Sequence, residues 1–306
     1  MEIVMVGSIA YDSVESPEGK VEDALGGSAI YGGIASQFHA RHLDLGAVGI
    51  VGVVGTDFLQ SDRDRLSDLG LDIRGIETAQ GNTFRWSGSY HGDMGVAQTH
   101  DTQLNVFGEF EPKVPDFART PKILFCANLL PILQSKVLDQ VKPRRLSMLD
   151  SMNLWISTAK DDLMEVMKKV DLIIINDGEV KMLAEDENFI RASRKVVEMT
   201  DCSTLIVKRG EFGVIAFHGE EIISLPAFPT EMVVDPTGCG DSFAGTLASY
   251  LANGDGEISR SELREALIAS TVTSSFTLES FGVNRLIGLD NNEFIQRLNQ
   301  YNSILN

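Results

Sequence analysis

Seven residues, Asp235-Pro236-Thr237-Gly238-Cys239-Gly240-Asp241, and the apolar run behind them constrain this chain more than any other stretch. Phe243, Leu247 and Leu251 recur at four-residue spacing, with Ala244, Gly245, Ala248, Ser249 and Ala252 between them. That spacing predicts a buried helix with small faces, ending at Asn253-Gly254 in a glycine C-cap. Gly238 and Gly240 then fall at the helix N-terminus, where backbone N–H groups lack intrahelical partners and the dipole is positive. Such an end binds anions, provided no side chain blocks the approach. Asp241 stands beside it, one residue into the helix. A carboxylate next to a phosphate cradle is costly unless it takes a proton from a hydroxyl attacking the phosphate. A tight strand-to-helix turn with an Asp favouring the dipole would use some of the same residues. Acids, a Thr and a glycine pair packed this closely before a buried helix are more specific to phosphoryl transfer.

The stretch resembles the C-terminal signature of the PfkB (ribokinase-like) family of carbohydrate and nucleoside kinases, written Asp-Thr-x-Gly-Ala-Gly-Asp. Pro236 and Cys239 are its departures. Further segments carry the resemblance. Leu25-Gly26-Gly27-Ser28-Ala29-Ile30-Tyr31 opens a small-residue helix running towards His42. It is similar to the family's N-terminal Gly-Gly signature, which implies that substrate lies against Gly26 and Gly27. Family members commonly carry Asn where this chain has Tyr31, and many sugar kinases carry Asn where it has Ala10. Losing both amides argues against ribose and for a bulkier or aromatic-stacked substrate. Tyr31 is therefore a substrate candidate, with core packing as the equal alternative.

Met1–Ser8 reads as a strand buried on both faces, and Asp12 follows its C-terminal end, where open α/β sheets place ligands. The resemblance implies that Asp12 grips substrate hydroxyls; by itself it would read as a turn residue. Asp150-Ser151-Met152-Asn153 resembles the family's Asp-x-Asn element lengthened by one residue, which puts Asp150 and Asn153 at the crevice. Asn176-Asp177-Gly178-Glu179, after the buried run Asp171–Ile175, resembles an Asn-x-x-Glu element. It implies that Asn176 and Glu179 serve phosphate and Mg²⁺, Glu179 through water because the ion keeps much of its hydration shell. Lys208 to Gly213 resembles a Lys-x-Gly-x-x-Gly hairpin that borders the nucleotide, with Gly210 and Gly213 permitting a tight reversal. Lys208 or Arg209 would meet phosphate, and Thr237 joins the nucleotide side. Thr277–Gly282 is similar to a segment bordering adenine and, in some members, a monovalent cation. Asp235 matches one position of that cation site, so K⁺ joins ATP and Mg²⁺ among the implied ligands.

Alternation of strand and helix predicts one doubly wound α/β domain over residues 1–306, with a mostly parallel central sheet flanked by helices. Thr83–Tyr90 alternates and is rich in β-formers, and Val96–Leu104 is β-compatible. The resemblance implies a small β-sheet lid over the substrate, inserted at about 9–24 and 78–106. Arg85 and Tyr90 are lid candidates for substrate contact; Trp86 reads better as packing in the lid or a dimer seam. A small sheet needs cover for its apolar face, which favours a homodimer through the lid.

Composition narrows the partners. The net charge of −18, with no basic stripe, excludes nucleic acid and anionic membrane. Cys126, Cys202 and Cys239 are odd in number and widely spaced, which argues for reduced thiols in a cytoplasmic protein. The N-terminus lacks a basic leader, and Leu43–Gly55 is too short and glycine-rich to span a bilayer. The histidines show no metal-ligand spacing. Cys239, at a helix start, either has a lowered pKa or is merely a small residue where the family has Ala. Three function classes stay open. The first is an ATP-dependent kinase acting on a sugar, nucleoside or cyclitol, with Asp241 as base and the Gly238, Cys239 and Gly240 amides on the transferring phosphoryl group. The second is a non-catalytic ligand-binding relative, which would not need Asp241. The third is a nucleotide-dependent oxidoreductase, against which Gly7-Ser8-Ile9-Ala10 lacks the Gly-x-Gly-x-x-Gly spacing.

Overall fold

The computed structural model of the chain describes residues 1–92 and 94–306. Apolar runs such as Ile3–Val6, Val48–Val54 and 172–175 are buried on both faces, as strands sandwiched between helical layers must be. In chain order the strands are β1 (Ile3–Val6), β2 (Ala10–Ser16), β3 (Gly19–Gly26), β4 (Val48–Val54), β5 (Asp72–Thr78), β6 (Phe84–Ser89), β7 (Gln98–Gln103), β8 (Ile123–Cys126), β9 (Leu146–Asp150), β10 (Leu172–Asn176), β11 (Thr204–Lys208), β12 (Val214–His218) and β13 (Glu221–Leu225). Nine of them form one sheet, ordered β13-β12-β11-β10-β9-β8-β1-β4-β5. Its pairs are parallel except β11–β12 and β12–β13. The chain therefore forms the doubly wound, mostly parallel architecture expected from its alternation of elements.

Two helices lie against each other over the sheet and carry much of the site. Ser28–His42 follows the Gly26-Gly27 pair, and Cys239–Asn253 follows Gly238. Their backbones touch: a Cβ on Gly245 would run into the Gly32 carbonyl oxygen. Ser36 Oγ and Ser249 Oγ, 2.7 Å apart, tie the same seam in the buried interior. Only small residues permit so close a crossing, which accounts for the small faces of both sequences. The second helix ends at Gly254 as its spacing predicts, but Gly254 is extended (φ −88, ψ 171), not a left-handed cap. Glycine is needed there because the Glu262 carboxylate occupies the space of a side chain. The helix end is capped by Arg145, which donates from Nη1 to the Leu251 carbonyl and pairs with Glu262 at 2.7 Å.

The remaining four strands form a separate sheet, β3-β2-β6-β7, with β2 and β6 parallel. This is the lid. Val14, Tyr90 and Met94 make a buried cluster of their own, joined by Val233 and Phe281 from the main body. Part of the lid's apolar surface is thus covered by its own chain. Its edges are protected in the usual way, with Lys20, Glu22 and Asp23 on β3 and a wholly exposed, polar β7. Among the described residues no helix is long and apolar enough to cross a membrane.

Candidate active site

The C-terminal ends of β1, β9, β10 and β11 open towards the N-terminus of the Cys239 helix, and the candidate residues gather at that edge. Gly238 is the N-cap in the left-handed region (φ 77). A side chain there would be strained and would collide with the Tyr31 ring. The Cys239 amide bonds to the Pro236 carbonyl at 3.2 Å. Among the described residues the amides of Gly238, Gly240 and Asp241 have no acceptor within the chain. The cradle is therefore built from 238, 240 and 241, and Cys239 leaves it: its N–H closes the turn that holds the others.

Lys208, at the end of β11, reaches this cradle. A Cβ on Gly240 would lie 2.9 Å from Lys208 Nζ. The same ammonium pairs with the buried Asp150 at the end of β9, Nζ to Oδ2 2.9 Å. Burial works to lower the Lys208 pKa, but attraction to Asp150 and Glu179 leaves it raised. Asp241 is half-buried in the first turn of the helix. Burial, with Asp150 adding repulsion against the pull of Lys208, pushes its carboxyl up to about 7.

Asp12 lies on the other side of the same space. Its carboxylate rests against Gly26, where a Cβ would collide with Oδ2, and Gly27 adopts φ 94 to turn the chain into the Ser28 helix. Asp12 is 5% exposed. Burial, then repulsion from Asp235 and Asp241, raises it to about 7, while the Gly27 amide opposes the rise. Each glycine of the pair thus has a defined task, one admitting the carboxylate and the other the turn.

Asp235 is 1% exposed and accepts from the Thr237 amide (2.9 Å) and the Gly282 amide (3.3 Å). The segments bracketing the cradle are stitched together, Val234 N to Leu278 O at 2.7 Å. Asn176 caps the next helix in a reciprocal capping box with Glu179. Both Glu179 oxygens accept from Asn176, at 2.8 and 2.7 Å, and burial raises the carboxyl to about 7. Among the described residues there is no group of three or more acidic, His or Cys side chains that could cage a metal. A single anchored carboxylate fits a hydrated Mg²⁺ and does not fit a dehydrated one. Gly210 (φ 52) and Gly213 (φ 86) make the turn between β11 and β12, and a Cβ on Gly213 would meet the Leu225 carbonyl. Arg209 does not turn to the cradle; its guanidinium stacks 4.8 Å from the Phe189 ring. Asn153 is exposed at the start of a short helix and Asn176 is exposed at its cap, while Thr237 is partly buried.

Two expectations are corrected, and the two readings of Cys239 are separated. Tyr31 is 1% exposed and sealed beneath Gly238, and among the described residues its hydroxyl has no partner; it packs as core beneath the cradle. Arg85 pairs in register with Tyr11, not Asp12, and binds Asp57 at 3.0 Å and Asp23. It lies on the lid face opposite Asp12. Cys239 has a raised pKa, first because it is buried and then because Asp235 and Asp241 lie beside it. We expect iodoacetamide at about pH 8 to label Cys239 far more slowly in the native protein than in urea, by peptide mass spectrometry; labelling at the rate of a free thiol would contradict this.

Trp86 moves the other way. The β2–β6 register sets it beside Asp12 on the same lid face. Its indole lies over Gly88, where a Cβ would come within 2.5 Å of the ring, and the side chain is only partly buried. Sequence spacing alone does not reveal which side of the lid a residue faces.

The raised carboxyls make a pH prediction. Unfolded Asp titrates near 4, so between about pH 4 and 7 the folded apo protein holds protons at Asp12 that the unfolded chain has released. Its contribution to stability is present below that window and lost as pH rises through it. Asp12→Asn should therefore gain melting temperature over wild type on going from about pH 5 to about pH 8, by calorimetry. A difference independent of pH would show that Asp12 is not held up.

The comparisons agree with this fold. The cytidine kinase of Thermococcus kodakarensis is 29% identical over 263 residues, 82% of this chain and 88% of that one. The solved nucleoside kinase of Methanocaldococcus jannaschii superposes with a TM-score of 0.76 at 20% identity, covering 98% of this chain and 99% of that one. A Burkholderia thailandensis nucleoside kinase in complex with inosine gives 0.74 at 19% identity, with 98% of both chains covered. These likenesses show the ribokinase-like fold. A family model described as "pfkB family carbohydrate kinase" matches residues 1–287, and the chain thus belongs to the PfkB family of carbohydrate kinases, a family of phosphotransferases.

Proposed function

We propose that the protein is an ATP-dependent kinase that phosphorylates an alcohol group of a nucleoside. The observation that carries this reading is the placement of Asp241 between unpartnered helix-start amides and the substrate-side carboxylate Asp12. Asp12 orients the acceptor hydroxyl. Asp241 takes the hydroxyl proton as the acceptor oxygen bonds to the γ-phosphorus and the bond to the ADP oxygen breaks. The amides of Gly238 and Gly240, with Lys208, stabilise charge on the transferring group. Glu179 would hold Mg²⁺ through water, and the ion would supply neutralisation of the phosphate charge. Gly210, Gly213 and Thr237 border the nucleotide, and Asp235 is the K⁺ candidate.

The nucleoside reading rests on two supports. One is the likeness to a cytidine kinase across most of both chains. The other is Trp86, whose flat indole beside Asp12 suits stacking against a planar base. A small sugar is the second reading, favoured by the family description. The test is an ADP-release screen with Mg-ATP over cytidine, other nucleosides, ribose and inositols, with and without K⁺. Release that depends on a nucleoside supports the proposal. Response to free sugars alone selects the second reading, and no acceptor-dependent ADP removes both.

A further inference from the structure

Among the described residues, a pair of hydroxyls links the lid to the segment that enters the cradle. Tyr90 follows β6, and its amide bonds to the Glu15 carbonyl of β2 at 2.9 Å, so its position is that of the lid sheet. Its ring is buried, 8% exposed, in the seam that joins Val14 and Met94 to Val233 and Phe281. Its hydroxyl meets the Thr237 hydroxyl at 3.2 Å. Thr237 is the residue before Gly238, and its own amide is held by Asp235 Oδ1 at 2.9 Å. Asp235 in turn accepts from Gly282, next to Phe281 of the seam. The hydroxyl pair thus closes a ring of contacts: lid strand, Tyr90, Thr237, Asp235, Gly282, Phe281 and back to the lid.

We propose that Tyr90 is a positioning residue that makes the orientation of the phosphoryl cradle depend on a seated lid, through its hydrogen bond to Thr237. The proposal rests on the kinase reading above. With the lid seated, Thr237 has its side chain and its amide both fixed, and the backbone entering Gly238 is fixed with them. With the lid raised, the side-chain anchor is gone and the Gly238 amide loses one of its two restraints. A cradle completed only under a closed lid discriminates against water as acceptor, because water cannot seat the lid. Thr237 is outside the family's glycine pair and Tyr90 is remote in sequence, so neither residue identity is explained by anion binding alone.

The test uses the full-length protein with the best acceptor from the screen. Tyr90→Phe and Thr237→Val each remove one hydroxyl and keep the shape; the double variant completes a cycle. We expect each single variant to lower kcat about tenfold, the size of one positioning hydrogen bond in a transition state. KM for ATP in Tyr90→Phe and the melting temperature of both single variants should stay near wild type. The double variant should be no slower than the worse single one, and ADP release without acceptor should rise relative to acceptor turnover. Additive losses, losses that follow a lowered melting temperature, or an unchanged kcat in Tyr90→Phe overturn the proposal while wild-type turnover keeps the kinase reading intact. A wild-type protein silent with every acceptor overturns both.

Discussion

Asp241→Asn lowers acceptor-dependent turnover about 10²- to 10⁴-fold, while the apo protein melts at or above the wild-type temperature. Asparagine fills the same volume at the helix start but cannot take a proton from the acceptor. Stability is spared because the wild-type carboxylate is a burden to the fold. Burial and Asp150 both disfavour its charge, and Lys208 only partly offsets them. ATP binding is spared for a related reason, since removing a negative charge beside the phosphates relieves repulsion. The decisive data are kcat and ATP affinity measured on the same preparation. A kcat within about threefold of wild type would take Asp241 out of the chemistry and return the ligand-binding alternative to contention. Loss of ATP binding together with kcat would mean that Asp241 acts through structure.

Gly245→Ala lowers the melting temperature by about 5 °C, equivalent to roughly 3 kcal/mol in a chain of this length. The methyl group would run into the Gly32 carbonyl oxygen, a backbone atom that no rotamer change can move aside. Relief requires the two helices to part. One of them begins at the Gly26-Gly27 pair and the other at Asp241's turn, and Gly32 also lies near the Asp241 carbonyl. Separation therefore displaces the acceptor side from the base, and kcat should fall with stability. Gly46→Ala is the control, because nothing lies within 4 Å of its added methyl and its φ needs no glycine. It should melt within a degree or so of wild type. Equal melting of Gly245→Ala and Gly46→Ala would show that the crossing tolerates a methyl group.

The motif residues were readable because their chemistry is local. Gly238, Gly240 and Asp241 lie within one turn, and Asn176 with Glu179 forms a cap whose partners are three residues apart. The central strands were readable because an unbroken apolar run has few alternatives. What sequence did not reveal depends on distant pairing. Whether Arg85 or Trp86 faces Asp12 is decided by the β2–β6 register, and a shift of one residue exchanges them. Tyr31 could not be placed as core or ligand until Gly238 was found lying on its ring. Edge strands β5 and β13 carry alternating, half-exposed sequences that resemble loops until a neighbour supplies the other half of their hydrogen bonds. Cys239 shows a conflict of rules, in which helix-end placement pulls one way and burial among carboxylates the other.

The seam described for the lid has a consequence for how this molecule comes apart. The body is held by a continuous interior running from Ile3 to Tyr301 that takes in Tyr11 and Leu25 at the near end of the appended sheet, whereas the far half of that sheet is joined to it by a handful of side chains around Tyr90. Detaching those few contacts exposes little oil to water and leaves the interior whole, so the appendage should open many times for each time the chain as a whole unfolds. Amide protons of the exposed β7 and of the outer ends of β2 and β3 would then trade with solvent well ahead of those in β10 and β11, and anything gripped across the seam would slow the former while leaving the latter almost untouched.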